Sequence, residues 1–159
     1  AVRYPRGCEP YLPQGYVPTS ENYETYLREG ASTAIVTYGR LFSFACEAAE
    51  RLRESGVDAG VVKLNTIKPI DASCVNMCMT YKKIFFFEEG IKSGGVGETF
   101  SRMLIENGFK GAFCLRAFED CFVEQGSIAS QLHKYGLDAE GMYELINNQE
   151  KVNECDYKA

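Results

Sequence analysis

Two adjacent glutamates, Glu88 and Glu89, end the apolar run Ile84-Phe85-Phe86-Phe87, and a glycine stretch, Gly94-Gly95-Val96-Gly97, follows shortly after. A carboxyl pair at a strand end can do acid–base work. Ligands of open parallel sheets also gather at the carboxyl ends of strands. The same pair can instead be a solvated strand end or an interface pair. The glycine stretch lies between a strand pattern and a helix pattern, the context of a dinucleotide fingerprint. That fingerprint needs a third glycine where Phe100 stands, and a bulky ring there blocks the close helix–strand contact. No Gly-Lys-Ser/Thr follows, so it is not a Walker loop. An anion at the helix N-terminus remains open; a tight turn between closely packed backbones is the expectation.

Other chemistry-bearing residues are sparse. The seven cysteines, Cys8, Cys46, Cys74, Cys78, Cys114, Cys121 and Cys155, are odd in number and scattered, unlike a disulfide framework. Most sit in apolar segments, where a thiol behaves as a small hydrophobe. They read as reduced, and the compartment as cytoplasmic. Cys74 and Cys78 share a helix face, but structural zinc wants four N or S ligands. The sole histidine is His133, so no metal site is expected. His133, between Leu132 and Lys134, reads as a surface side chain. No serine or cysteine sits in a nucleophile elbow. Lys68-Pro69-Ile70-Asp71 reads as structural: Pro69 stops a strand and Asp71 caps a helix.

These residues need a frame. Residues 1–20 hold Pro5, Pro10, Pro13 and Pro18 with Gly7 and Gly15, which excludes helix and central strand and reads as a linker. Tyr23–Arg28 alternates as a strand. Ala34–Tyr38 is the next strand, and a helix runs from about Leu41 to Ser55 with Leu41, Phe44, Ala45, Ala48 and Leu52 at helical spacing. Gly60–Leu64 is a strand, and Asp71 opens a helix to about Tyr81. Ile84–Phe87 is continuously apolar, as in a strand covered on both faces. The helix after the glycine stretch turns Val96, Phe100, Met103 and Leu104 inward. Ala112–Leu115 is a strand; Ser127 caps a helix to about Lys134 and Asp138 one to about Asn148. This alternation predicts a three-layer parallel α/β sheet. The short link after Arg28 suggests that the first two strands form an antiparallel hairpin.

The chain has 159 residues, 45% of them hydrophobic and 25% charged, with net charge −5. That is the composition of a soluble globular domain. The absence of a basic block argues against nucleic-acid binding through phosphates. No apolar run approaches the ~18 residues of a membrane span. The start, Ala1-Val2-Arg3-Tyr4, is neither a signal peptide nor a Met start, and it suggests a chain cut from a longer one.

Six segments, in order, carry a family resemblance. Arg3-Tyr4-Pro5-Arg6-Gly7, Leu27-Arg28-Glu29-Gly30, Lys68-Pro69-Ile70-Asp71, Glu88-Glu89 with Gly94-Gly95-Val96-Gly97, Phe122–Ser127 and Tyr135–Gly141 together resemble the 1-deoxy-D-xylulose 5-phosphate synthases. The likeness spans residues 2 to about 146. It implies a transketolase C-terminal fold: α/β/α in three layers, with a five-stranded mixed, mostly parallel sheet. Its first strand is antiparallel and lies beside the third strand in space, not beside its sequence neighbour. The implied division is 1–21 as the end of a pyrimidine-binding domain with its linker, 22–150 as the C-terminal-like domain and 151–159 as a tail.

The resemblance also implies a reaction. Pyruvate loses CO2 and its remaining two carbons join glyceraldehyde 3-phosphate, with thiamine diphosphate as electron sink; the product feeds isoprenoid, thiamine and pyridoxal synthesis. The family's Gly-Asp-Gly…Asn motif for diphosphate and Mg2+ has no counterpart here, since Asn147-Asn148 lacks the upstream Gly-Asp-Gly. Its activating glutamate lies in the middle domain, before residue 1. The resemblance therefore implies no catalytic, cofactor or metal residue in this chain, and one substrate residue, Arg6, near the phosphate of glyceraldehyde 3-phosphate. It implies the remaining domains of a parent chain as partners, and a homodimer in the parent. The rival expectation is a C-terminal assembly module of another transketolase-like protein, or of a 2-oxo acid dehydrogenase β subunit.

Overall fold

The computed structural model describes residues 11–27 and 29–156, with side chains as far as Gln149. Ten elements follow one another. They are β1 (Tyr23–Tyr26), β2 (Thr33–Tyr38), α1 (Leu41–Glu54), β3 (Ala59–Leu64), α2 (Ala72–Cys78), β4 (Lys83–Ile91), α3 (Val96–Glu106), β5 (Ala112–Phe118), α4 (Ile128–Lys134) and α5 (Ala139–Asp156). The strands form one sheet in the order β1-β3-β2-β4-β5. The β3–β2, β2–β4 and β4–β5 pairs are parallel, and β1 runs antiparallel to β3. This is the five-stranded mixed sheet that the resemblance implied.

The hairpin suggested by the short link does not form. Tyr23 to Tyr26 pair with Leu64 to Val61 of β3, while β2 has β3 on one side and β4 on the other. Link length was a poor guide. Residues 27–32 can reach ~20 Å when extended, whereas crossing two strand spacings needs only ~10 Å. Burial decides the order. β2 is buried along nearly its whole length, as an interior strand must be, and β1 is only partly buried, as suits an edge.

The apolar run of β4 shows why helices cover both faces. Successive side chains of a strand point to opposite sides. Phe85 and Phe87 enter a cluster with Ile35, Phe42, Leu52, Met142 and Ile146. Ile84 and Phe86 enter another with Val36, Val62, Val75, Phe100 and Leu104. Helices α1, α4 and α5 therefore cover one face, and α2 and α3 the other. Inward-pointing Phe100 and Leu104 are fully buried, while Val96 and Met103 lie at the margin.

The caps read from the sequence are formed. Asp71 Oδ1 accepts from the Ser73 backbone N–H at 2.8 Å, and Ser127 Oγ accepts from the Ser130 N–H at 3.2 Å. Asp138 Oδ1 accepts from the Gly141 N–H at 2.9 Å. Two helix ends differ from expectation. α2 stops at Cys78 and tightens into turns through Thr80 and Tyr81. α5 continues past Asn148 to Asp156.

Between α4 and α5 the chain turns at Gly136, whose φ of 67° suits a residue without a Cβ. Gly141, in the first turn of α5, packs directly on that glycine's backbone. A Cβ at Gly141 would lie 2.8 Å from the Gly136 carbonyl carbon and closer still to its Cα. Alanine gains about 1 kcal/mol of helix propensity over glycine, but here backbone must move to admit it. Gly141→Ala is expected to cost a net ~1–3 kcal/mol. A thermal melt should show this as a Tm lower by about 2–4 °C per kcal/mol, and an unchanged Tm would contradict the close packing.

Candidate functional site

The sheet has one topological switch point. From β2 the chain crosses by α1 to β3 on one side; from β3 it crosses by α2 over β2 to β4 on the other. In open α/β sheets the crevice at the carboxyl ends of two such strands is the usual ligand site. Here those ends carry Tyr38, Gly39 and Arg40 from β2, and Glu88 and Glu89 from β4, with the N-terminus of α3 beside them.

Glu88 is 3% exposed. Its Oε1 accepts from the Val96 backbone N–H and from the Tyr38 hydroxyl, both at 2.9 Å. Its Oε2 accepts from the Gly97 N–H at 2.9 Å. The first N–H groups of a helix have no partner within it and favour an acceptor with negative charge. At α3 that acceptor is the chain's own side chain. Burial, and then the bond to Glu88, push the Tyr38 phenol far above the usual tyrosine range, so it stays a donor.

The glycines make this approach possible. A Cβ at Gly95 would stand 2.7 Å from Glu88 Oε2 and 2.7 Å from the Ile91 carbonyl oxygen. A Cβ at Gly97 would stand 2.8 Å from the Phe86 ring and closer to Leu115 Cδ1. The glycine stretch is thus a place where backbones pack closely, and the anion it cradles is internal.

Glu89 points the other way. Its carboxylate takes both Nε, at 2.6 Å, and Nη2 of Arg40. The two-pronged pair raises the Arg40 pKa further above its ordinary value. Both carboxyl groups of the acid pair are therefore engaged within the fold. The expectation of a solvated strand end or an interface pair fails for Glu88, which is buried among three donors. Neither glutamate is left to act as an acid or base on a substrate.

The other residues singled out from the sequence are dispersed. Arg6 lies outside the described residues, as do the side chains of Cys8 and Cys155. Cys46, Cys74 and Cys78 are buried free thiols, and Cys114 and Cys121 are free and more exposed. Asp71, besides capping α2, accepts from Asn22 Nδ2 at 2.8 Å. Asn147 lies against the Tyr143 hydroxyl at 3.3 Å. His133 is exposed, with Nδ1 2.7 Å from Asp138 Oδ2; the hydrogen bond to that carboxyl raises its pKa above the usual histidine value. Sequence reasoning passed over Tyr38 and Arg40, since neither forms a motif. Their position just after a strand and before a helix was the available signal.

The described residues do not fit thiamine diphosphate or Mg2+. The one long-helix N-terminus at the glycine stretch is filled by Glu88, and no cluster of three His, Cys, Asp or Glu suited to a metal occurs among the described residues. No helix among them is long and apolar enough to cross a membrane.

This fold, with its switch point closed by its own side chains, defines an α/β module of the transketolase type. The family described as "Transketolase, C-terminal domain" matches residues 23–142, and the chain belongs to it. The chain is 36% identical over 152 residues to the 1-deoxy-D-xylulose-5-phosphate synthase of Syntrophus aciditrophicus, an alignment covering 93% of this chain and 23% of the relative. It is 34% identical over 154 residues to 1-deoxy-D-xylulose-5-phosphate synthase 1 of Geobacter metallireducens, with 89% and 23% covered. It thus spans about a quarter of the length of these curated relatives, matching their C-terminal region. Among solved structures, "Split gene transketolase, inactive beta4 tetramer" superposes with a TM-score of 0.69 at 28% identity, covering 79% of this chain and 41% of that one.

Replacing Glu88 by Gln leaves one acceptor oxygen for three donors and turns an amide N–H2 toward another N–H. Glu88→Gln is expected to cost ~2–4 kcal/mol and Tyr38→Phe about 1–2 kcal/mol. Urea unfolding should show lower midpoints with an unchanged m-value. A midpoint unaltered by Glu88→Gln would contradict the capping role.

Proposed function

We propose that the chain is the C-terminal domain of a thiamine-diphosphate-dependent transferase, a 1-deoxy-D-xylulose 5-phosphate synthase. The parent enzyme condenses pyruvate with glyceraldehyde 3-phosphate, releasing CO2, for isoprenoid and thiamine biosynthesis. The observation that carries this reading is the identity of up to 36% over 93% of the chain with a synthase of that name. The cofactor and Mg2+ belong to the parent's other domains. The parent is a cytoplasmic homodimer, and this domain supports its assembly and is inactive alone. Within the chain, Arg6 reads the phosphate of the aldehyde substrate: a planar guanidinium binds phosphate oxygens in a two-pronged way that lysine cannot copy.

A second reading makes the chain an assembly module of another transketolase-like protein or of a 2-oxo acid dehydrogenase β subunit. The likeness to a split-gene transketolase, named as an inactive β4 tetramer, favours it. A Gly-Asp-Gly motif upstream on the same polypeptide would decide for the synthase.

Calorimetric titration of the chain with thiamine diphosphate and Mg2+ should give no heat of binding, and micromolar affinity would overturn the domain assignment. In the parent enzyme, Arg6→Ala should lose a charge-assisted contact of about 1.5–3 kcal/mol. That is roughly a 10- to 150-fold fall in kcat/KM, largest for glyceraldehyde 3-phosphate and smallest for unphosphorylated glyceraldehyde. Equal losses for both aldehydes would mean that Arg6 does not read the phosphate.

A further inference from the structure

The segment between Tyr11 and Asn22 has neither helix nor strand, yet it is fastened to the domain at several points. Tyr11 donates its hydroxyl to Glu50 Oε2 at 2.7 Å, and Tyr26 of β1 donates to Oε1 of the same carboxyl at 2.6 Å. One α1 side chain thus ties the segment to the sheet edge. Pro13 is buried, and its carbonyl accepts from the Tyr16 N–H at 3.0 Å across a turn that uses Gly15 at φ 76°. The Tyr16 ring lies 5.2 Å from that of Phe42. Its hydroxyl donates to Glu24 Oε1 at 2.7 Å and accepts from Lys63 Nζ at 2.8 Å. Lys63 in turn pairs with Glu24 at 3.0 Å and sits 4.6 Å above the Phe42 ring. Asn22 closes the far end: its carbonyl accepts from the N–H groups of Asn65 and Thr66, both at 2.9 Å. The hydrogen bond to Glu50 pushes the Tyr11 phenol up to about 12, in keeping with a donor engaged by a carboxylate.

A free tether would show none of this. Proline and glycine explain why the segment is irregular, but only the tyrosines explain why it lies down on the domain. Fixing an irregular residue costs about 1–2 kcal/mol of backbone entropy, so a dozen such residues stay ordered only where side-chain contacts offset that cost. Arg6 precedes Tyr11 by five positions. A chain of that length reaches at most ~17 Å, so anchoring Tyr11 confines where Arg6 can be.

We propose that residues 11–22 are a strap belonging to this domain, and that Glu50 is a positioning residue which, by holding Tyr11, sets where the Arg3–Gly7 stretch meets the aldehyde phosphate. The second half rests on the synthase reading; the first does not. The strap gives the domain a role in substrate recognition although it holds no catalytic group itself.

Two measurements test this separately. In the 159-residue chain, chymotryptic cleavage after residue 11, followed by mass spectrometry under native conditions, should be slow. Tyr11→Phe keeps an aromatic cleavage site but loses the bond to Glu50. Both it and Glu50→Ala should speed cleavage about tenfold, the scale of one hydrogen bond to a charged group. Tyr26→Phe breaks the other arm of the same carboxyl without touching the strap, and should leave cleavage within about twofold. Wild-type cleavage as fast as in the urea-unfolded chain, or no acceleration in Tyr11→Phe, would overturn the strap. In the parent enzyme, Glu50→Ala and Tyr11→Phe should raise KM for glyceraldehyde 3-phosphate several-fold, with kcat and KM for pyruvate unchanged. Glu50→Gln, which keeps one acceptor oxygen, should recover part of the loss. A faster-cut strap with an unchanged KM for the aldehyde would overturn the positioning role. A parent that makes no 1-deoxyxylulose 5-phosphate would remove that role together with the synthase reading, and cleavage would still decide the strap.

Discussion

Glu88 is a carboxyl group carried into the interior at the end of the central strand β4, and three donors must meet it there. Leaving such a group without partners costs several kcal/mol. Meeting it fixes much of the molecule. Tyr38 must end β2 at the same level as Glu88 ends β4. The first turn of α3 must face back toward the sheet, and Gly95 and Gly97 must lack side chains so that it can come close. The register of β2 on β4 and the seat of α3 on Phe86 follow from the same meeting point.

This arrangement has a functional consequence. In doubly wound sheets the crevice at the switch point is where the fold offers a ligand its best electrostatics. Here Glu88 occupies the helix N-terminus and the Arg40–Glu89 pair lies beside it. The common binding device of the fold serves to hold the fold together. A module built this way contributes through its surfaces and its attachments, which accords with a chain that spans about a quarter of the length of its curated relatives. On our reading the attachment that matters most is the strap. Tyr11 and Tyr16 spread the irregular lead-in over α1 and the β1–β3 edge, so that the boundary between linker and domain falls earlier than composition suggests.

The sequence by itself determined the alternation of strands and helices, because burial on two faces and on one leave different periodicities, and the runs at Ala34–Tyr38 and Ile84–Phe87 show the former. It also determined the caps at Asp71, Ser127 and Asp138, which act on the next few residues and need no tertiary partner. Its ordered short motifs sufficed for the family. It did not determine where β1 pairs: hydrogen-bonding edges are offered by other strands, and the link through residues 27–32 is long enough for more than one of them. Nor did it determine the partners of Glu88, Glu89 and Glu50. Those lie 39 to 50 positions away in Tyr11, Tyr38 and Arg40, or were concealed in the backbone N–H groups of Val96 and Gly97, which every sequence possesses. A carboxyl group looks alike in sequence whether it faces water, a substrate or a helix end. Only the packed sheet, by setting which donors reach it and how little water remains, decided that Glu88 caps a helix and that Glu50 holds a strap.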